Sequence, residues 1–124
     1  MHEDDARGMS SWSIFSFALR VPLAAFFFWL AYKSLSGDAQ VAGDFERWGY
    51  SRAFLYGIGA AQAVGGLALL PPQTCFTGAL LLSGVLLGAI YTHLRFDPLA
   101  SALTPTLFLA ALGTILIIHR PQPH

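Results

Sequence analysis

Charged side chains are scarce in this sequence. Asp, Glu, Lys and Arg make up 11% of its 124 residues, whereas about a quarter of an ordinary soluble domain is charged. The seven acidic and seven basic residues cancel, so the chain has no basic excess with which to bind nucleic acid. Because 55% of the residues are hydrophobic, a soluble domain of this length would have too little polar surface to cover itself. The composition therefore favours a membrane protein.

Cysteine and histidine are also rare. The single cysteine, Cys75, excludes an internal disulfide and a C-x-x-C redox pair. His93 and His119 end different predicted helices at opposite membrane faces, on the order of 30 Å apart by helical rise, while His2 and His124 lie in the tails. We therefore predict that a single chain binds no metal and no haem. A homodimer that pairs two copies of His93 is the one exception.

Long apolar runs account for the composition. Four of them are present, at residues 14–32, 54–70, 75–91 and 99–118. Each is near the roughly 20 residues that cross a hydrocarbon layer as a helix. The sequence predicts an all-α fold, an integral membrane four-helix bundle over residues 12–120, with tails at 1–11 and 121–124 and Trp12 as a boundary anchor. Because the N-terminal HEDDAR is acidic and no A-x-A-like site follows the first run, we expect no cleaved signal peptide.

A polar stretch separates the first two spans. Between positions 33 and 52, KSLSGDAQVAGDFERWGYSR places Val41, Phe45 and Trp48 at helical spacing, with charged residues between them. This pattern is typical of a short helix lying flat at a membrane interface. Phe45, Trp48 and Tyr50 would then be its interfacial aromatics. The alternative is a solvated loop whose aromatics anchor the end of a helix.

Small residues mark the surfaces on which membrane helices approach closely. The predicted second and third spans are rich in glycine, and six of these glycines are predicted to pack helix against helix: Gly57, Gly59, Gly65, Gly66, Gly84 and Gly88. Gly84 and Gly88 form a G-x-x-x-G pair. Asp97 is the predicted N-cap of the fourth span, and Pro105 predicts a kink within it.

Two polar residues interrupt the apolar runs. Arg20 precedes Lys33 by thirteen residues, and Gln62 follows Arg52 by ten, so both should lie roughly 15 to 20 Å below the same membrane face. They could meet there beneath a polar mouth, and the candidate ligand-binding residues are Arg20, Lys33, Gln62 and His93. In the alternative, Arg20 reaches toward the N-terminal tail side and the other residues are anchors at helix ends.

The order of several motifs resembles the DoxX family of small bacterial four-helix membrane proteins. The matching features are Arg20 in the first span, KSLSG at 33–37, F-x-x-W-G-Y at 45–50, a G-x-x-Q-x-x-G segment at 59–65 and T-H-L at 92–94. The resemblance covers about residues 19–118. The sequence departs from the family pattern at Gln62, where glutamate is usual, and at Ser51, where proline is common.

The resemblance implies two kinds of function and leaves open whether the chain is an enzyme. One is a membrane subunit of a quinone-linked oxidoreductase assembly, since family members are linked to a thiosulfate:quinone oxidoreductase; a quinone is then the candidate cofactor and other subunits or a second copy the candidate partners. The other is a non-catalytic scaffold or assembly helper that packs through glycine-rich faces. The expected location is the bacterial cytoplasmic membrane, with the interfacial helix on the cytoplasmic side by a small excess of basic residues.

Overall fold

The computed structural model describes residues 11–120, apart from the side chains of Ser11 and Trp12. Its elements in chain order are α1 (Ser11–Leu35), α2 (Ala39–Arg47), α3 (Arg52–Leu69), α4 (Cys75–Phe96), a 3₁₀ helix (Leu99–Ala102) and α5 (Leu103–His119). Residues 11–120 form no strand, which confirms the predicted all-α class. The predicted tails lie outside the described residues, except for Ser11, where α1 already begins. The predicted anchoring by the Trp12 side chain also lies outside them.

Local signals in the sequence set the ends of the helices. Gly37 and Gly49 follow α1 and α2 with φ of +78° and +87°, a left-handed conformation that glycine adopts without steric penalty. Asp38 and Ser51 then cap α2 and α3, each accepting the backbone N–H of the third residue along at 3.1 Å. The two prolines after α3 stop that helix, because proline cannot continue the helical hydrogen bonding.

The connection between α4 and α5 differs from the prediction. Asp97 is not an N-cap; it ends α4, and its carboxylate bonds to the side chains of Arg47 and His93. Pro105 is the third residue of α5. A backbone N–H at this position would have no partner within the helix, so its absence in proline costs no hydrogen bond. The irregularity predicted around Pro105 is instead the junction of the 3₁₀ helix with α5.

Three segments are long and apolar enough to cross a membrane: Ser13–Leu35, Cys75–Phe96 and Leu99–His119. These correspond to the first, third and fourth predicted spans. The helix that corresponds to the second, α3, begins with Arg52 and carries Gln62 in its middle, and it is not among the three. The prediction of multiple membrane-spanning helices is therefore confirmed, and the crossing by α3 stays a prediction.

The long helices pack in a ring. α3 lies between α1 and α4, α5 packs on α4, and α1 touches α5 over a smaller area. The largest wholly buried side chains are Phe27, Leu55, Leu69, Leu82, Leu112 and Ile115. Because consecutive long helices run in opposite directions, the ends of α1 and α4 meet the start of α3 at one end of the ring, and the ends of α3 and α5 meet the first part of α1 at the other.

Candidate functional site

A cavity of about 390 Å³ lies between α2, α3 and α4, beside the last turns of α1. We call it the α2 cavity. Its lining is mostly apolar, with polar groups contributed by Ser34, Trp48, Tyr50, Gln62, Tyr91, Thr92 and His93. A concave apolar wall with a few convergent polar groups is the usual composition of a small-molecule site, and the volume lies in the usual range of roughly 300 to 1,000 Å³.

The helix α2 forms the outer wall of this cavity. None of its residues is fully buried, and an aromatic cluster holds it against α3: the ring of Phe45 lies 5.5 Å from Trp48 and 5.8 Å from Tyr50. Tyr50 in turn lies 4.9 Å from Phe54. The helix predicted from the spacing of Val41, Phe45 and Trp48 is confirmed, and its location at a membrane interface stays a prediction.

A network of charged side chains holds α2 against the end of α4. Arg47 Nη1 donates to Asp97 Oδ1 at 2.6 Å, and Asp97 Oδ2 lies 2.8 Å from His93 Nδ1. The hydrogen bond from Arg47 is the largest cause that holds the pKa of Asp97 below its usual value, and the bond with His93 acts in the same direction. Asp97 is therefore a carboxylate near neutral pH, and it links two residues from different elements.

The hydroxyl groups of Thr92 and Tyr50 form a second hydrogen-bonded network beside the cavity. Thr92 Oγ1 donates to the carbonyl of Gly88 at 2.8 Å and lies 2.7 Å from Tyr50 Oη. A hydroxyl group has one hydrogen. Since Thr92 gives its hydrogen to Gly88, Tyr50 donates to Thr92, and the lone pairs of the tyrosine oxygen are left for the cavity.

Two residues that line the cavity each have a buried polar atom without a hydrogen-bond partner among the described residues. The atoms are the indole Nε1 of Trp48 and the amide Oε1 of Gln62. Gln62 as a whole is only 7% exposed. Buried polar groups are satisfied in the large majority of cases, and an orphan costs about 1 to 3 kcal/mol. Both atoms have almost no accessible surface, so a ligand in the cavity would reach them only after the Trp48 and Gln62 side chains rotate.

The cavity owes part of its volume to the G-x-x-x-G pair. A Cβ atom built on Gly84 or Gly88 would meet nothing within 4 Å, and both residues line the cavity. The prediction that this pair packs α4 tightly on α3 is therefore wrong within one chain. Their missing side chains leave space for a ligand.

Other glycines do pack the helices closely. A Cβ on Gly59 would lie 2.9 Å from Ser34 Cβ, one on Gly65 would lie 2.6 Å from Leu82 Cγ, and one on Gly66 would lie 2.9 Å from the Phe28 ring. These three predicted packing residues bring α3 against α1 and α4. Gly57 was also predicted to pack, but the space beside it is open. A Cβ on Gly78, which is not in the predicted set, would lie 2.9 Å from the carbonyl oxygen of Gly65.

A second polar cluster lies at the other end of the ring. Arg20 is 5% exposed; its Nη1 donates to the carbonyls of Leu69 and Leu70 at 3.0 and 2.6 Å, and its Nε donates to Ser16 Oγ at 3.1 Å. Ser16 Oγ also lies 2.6 Å from His119 Nε2. We call this group the Arg20 cluster. The guanidinium group caps the C-terminal end of α3, where helix carbonyls carry partial negative charge.

The predicted contact between Arg20 and Gln62 is therefore wrong. Arg20 bonds to the end of α3, about two turns beyond Gln62, and the amide oxygen of Gln62 has no partner. The alternative prediction, that Arg20 lies toward the N-terminal tail side, agrees with the structure. The side chain is nevertheless buried among backbone carbonyls and does not extend into water. Lys33 does not line the cavity either; its Nζ lies 4.6 Å over the exposed ring of Trp29. Of the four candidate residues, the structure brings only Gln62 and His93 to the cavity.

Sequence reasoning overlooked several partners that helical spacing could have identified. Ser16 stands four residues before Arg20, and Asp97 stands four residues after His93, so each pair shares a helix face. The unpaired nitrogen of Trp48 depends on how α2 folds back, and no spacing in the sequence predicts it. Within residues 11–120, no group of three or more His, Cys, Asp or Glu could hold a metal ion.

A comparison with known protein families gives a match to this chain. The model of the DoxX-like family matches residues 18–115, which include both polar clusters except for Ser16 and His119. No curated protein and no solved structure gives a significant match to the chain. A family match over most of the chain, together with three helices that can span a membrane, establishes the class. The chain is a multi-pass membrane protein that belongs to the DoxX-like family.

Proposed function

We propose that this protein is a membrane subunit that binds a quinone-type molecule in the α2 cavity and serves a quinone-linked oxidoreductase assembly. The observation that carries the proposal is a mostly apolar cavity whose lining residues Trp48 and Gln62 each hold a buried polar atom without a partner. A quinone head group joins a flat hydrophobic ring to oxygen atoms. Once these side chains turn toward the ligand, the indole N–H of Trp48 and the amide NH2 of Gln62 can each donate to one of these oxygens, which accept hydrogen bonds.

The aromatic wall suits a planar ring. Phe45, Tyr50 and Phe54 line the cavity at mutual ring distances of 4.9 to 6.2 Å. Aromatic rings favour offset or edge-to-face contacts at such distances. The space left by Gly84 and Gly88 along α4 would accept the head group or the first part of an apolar tail.

Electron transfer in this proposal belongs to partner subunits. The chain would hold the quinone, and a redox centre on another protein would exchange electrons with it. The lipid bilayer is the first partner, and a second copy of the chain or another oxidoreductase subunit is the next. The proposal includes a location in a bacterial cytoplasmic membrane.

The observed packing of the glycines removes part of the basis for the alternative that the protein is a scaffold. Gly59, Gly65 and Gly66 already contact other helices of the same chain, and Gly84 and Gly88 line the cavity. Among the six glycines predicted to pack helix against helix, only Gly57 remains with open space outside the cavity. We therefore favour ligand binding over a role as a helper that packs through glycine faces.

Binding of a short-chain ubiquinone analogue to the purified protein in lipid nanodiscs tests the proposal. We expect saturable binding that quenches tryptophan fluorescence, and we expect Trp48→Phe and Gln62→Leu to weaken it about tenfold each, the effect of losing one net hydrogen bond. Trp29→Phe is the matched control, since Trp29 lies outside the cavity beside Lys33. No saturable binding, or equal loss in the control, would contradict the proposal.

We also infer that α3 is a fourth membrane span. It is 18 residues long, about 27 Å at 1.5 Å per residue, and it packs between two helices that are themselves able to span. Cysteine accessibility tests this topology. Cys75 itself is buried, so the reporters are Gln40→Cys and Gln73→Cys in a Cys75→Ala background, both at exposed positions. An impermeant maleimide should label only one of them in intact cells; labelling of both would mean that α3 does not cross.

A further inference from the structure

The α2 cavity has an opening at its side, between α3 and α4. The two helices are in close contact toward the other end of the ring, where a Cβ on Gly65 would lie 2.6 Å from Leu82 Cγ. Nearer to α2 both helices line the cavity, with Ile58 on α3 and with Gly84 and Gly88 on α4. Both of these α4 glycines are exposed, and a Cβ on either would meet nothing within 4 Å. Their missing side chains therefore leave a gap between the cavity and the outer surface of the bundle, which we call the side gap.

Side-chain contacts close the end of the cavity that faces α2. Tyr50 Oη, in the segment before α3, lies 2.7 Å from Thr92 Oγ1 on α4. Arg47 Nη1 on α2 donates to Asp97 Oδ1 at the end of α4 at 2.6 Å. A molecule that passed under α2 would have to break contacts of this kind, whereas the side gap is already present.

The side gap lies at the depth of the hydrocarbon layer. The helix α4 is able to span a membrane over Cys75–Phe96, and at 1.5 Å per residue Gly88 and Gly84 lie about 12 and 18 Å from its end at Phe96. Leu87, next to Gly88, is 57% exposed, as expected for a surface that faces lipid. Because the hydrocarbon layer is about 30 Å thick, the side gap opens toward lipid chains and not toward water.

Most polar groups of the cavity lie at its α2 end. Apart from Gln62, they come from the last turns of α1 and α4 and from the segment that joins α2 to α3: Ser34, Trp48, Tyr50, Tyr91, Thr92 and His93. The cavity is therefore polar toward the membrane face and opens into hydrocarbon toward the middle of the bilayer. A molecule that matches both ends has a polar head group and an apolar chain.

We infer that the ligand of the α2 cavity is a membrane-dissolved molecule with a long apolar tail, and that this tail leaves the cavity through the side gap beside Gly84 and Gly88. The inference rests on the proposed function for the head group and adds the class of tail and the direction in which it leaves. The head group lies under α2, and the tail points toward the middle of the bilayer. Gly84 and Gly88 are then specificity-determining residues, since their missing side chains favour a tailed molecule over its head group alone.

Two quinones with one head group test the inference: decylubiquinone, and the analogue in which a methyl group replaces the decyl chain. Both are titrated into the protein in nanodiscs, and affinities are calculated from the quinone concentration in the lipid, so that partition into the bilayer does not contribute. Gly88→Leu should fill the side gap and weaken binding of decylubiquinone about tenfold, the effect of losing the burial of about two methylene groups. The same variant should leave the affinity for the methyl analogue unchanged.

Gly57→Leu is the matched control, because Gly57 is exposed, has open space beside it and lies outside the cavity. It should change neither affinity. If Gly88→Leu does not fold, Gly84→Leu serves as the second variant. Equal weakening of both quinones by the folded variant, or no weakening of either, would overturn the inference and leave the proposed function standing.

A second measurement tests the side gap without a quinone. Failure of both quinones to bind the wild-type protein would defeat the proposed function, and the probe is then a vesicle of phosphatidylcholine that carries bromine atoms in the middle of its acyl chains. Bromine quenches tryptophan fluorescence on contact. In a variant with Trp12 and Trp29 replaced by phenylalanine, a lipid chain that enters the empty gap should quench Trp48. Adding Gly88→Leu should remove much of this quenching, and adding Gly57→Leu should keep it. Equal quenching in all three proteins would show that no apolar chain enters the side gap and would overturn the inference.

Discussion

The Arg20 cluster and the α2 cavity both place polar side chains between helices, but in the cavity two polar atoms have no hydrogen-bond partner. The Arg20 cluster joins α1, α3 and α5, and the charge is surrounded by two carbonyls and a hydroxyl that all accept from it. The α2 cavity joins α2, α3 and α4, and it leaves an indole nitrogen and an amide oxygen without partners. In a low-dielectric environment, a satisfied polar network holds helices together, whereas an unsatisfied one reduces stability. The Arg20 cluster therefore has a structural role, and the α2 cavity is the site that we propose for a ligand.

The largest expected effect breaks the satisfied cluster. Arg20→Met removes three hydrogen bonds from a charged donor and leaves the end of α3 uncapped, so the free energy of unfolding should fall by about 2 to 3 kcal/mol. Thermal unfolding in detergent measures this. Arg20→Lys, which keeps the charge but not the fork of donors, should recover part of the loss, and quinone binding should change little. A neutral effect of Arg20→Met would mean that the cluster does not stabilise the bundle.

A pair of glycine substitutions compares packed helix faces with the cavity wall. In Gly65→Ala the new Cβ would lie 2.6 Å from Leu82 Cγ, and such overpacking should lower the free energy of unfolding by about 1 to 3 kcal/mol. In Gly84→Ala the new Cβ meets open space, so stability should be unchanged or rise by up to about 1 kcal/mol through helix propensity. Ligand affinity should respond in the opposite way, falling for Gly84→Ala. Equal destabilisation by both would contradict the assignment of Gly84 to the cavity.

Gln62→Leu sharpens the contrast with Arg20. Because Gln62 Oε1 has no partner, replacing the amide with an apolar side chain should leave the ligand-free protein equally stable or more stable, by no more than about 1 kcal/mol. The same variant should lose ligand affinity. Unfolding measured with and without a quinone analogue separates the two effects: the analogue should stabilise the wild-type protein and have little effect on the variant. A large loss of stability without ligand would show that Gln62 is a structural residue.

The smallest expected effect is a dependence of α2 attachment on pH. The folded-state pKa of Asp97 is lowered, mainly by Arg47 and further by His93, so its contribution to stability is present above the unfolded pKa of about 3.9. It is lost as the pH falls through the lower, folded value. Fluorescence of Trp48 in a variant with the other two tryptophans replaced by phenylalanine should therefore stay constant down to about pH 4 and change below it.

Arg47→Gln is the control for the pH experiment. Without the guanidinium, the transition should begin at a higher pH, because the main cause of the lowered pKa has been removed. Arg95→Gln should leave the transition where it is, since Arg95 lies over the Phe96 ring and makes no bond to Asp97. If Arg47→Gln and Arg95→Gln shift the pH of the transition equally, the transition reflects the net charge of the protein and not the ion pair between Arg47 and Asp97.

The sequence by itself determined the class of this protein. Long apolar runs, prolines after the second run and a polar segment with helical spacing led to the all-α membrane class, to α2 and to the family. These features are local: they depend on hydropathy, helical periodicity and turn residues, each of which acts over a few residues. The same local reasoning placed Gly59, Gly65 and Gly66 at close helix contacts.

Only the tertiary structure decided which polar groups meet. Depth counted from one membrane face suggested that Arg20 and Gln62 could pair, but the packing of α1 directs Arg20 to the end of α3, and the fold of α2 turns Trp48 toward His93. Depth gives a height along the bundle and no direction around a helix. Two residues at similar height can face different neighbours, because the direction of each side chain depends on helix rotation and crossing, and the packing of the whole bundle sets these. For the same reason Gly84 and Gly88, a packing motif in sequence, became the wall of a cavity.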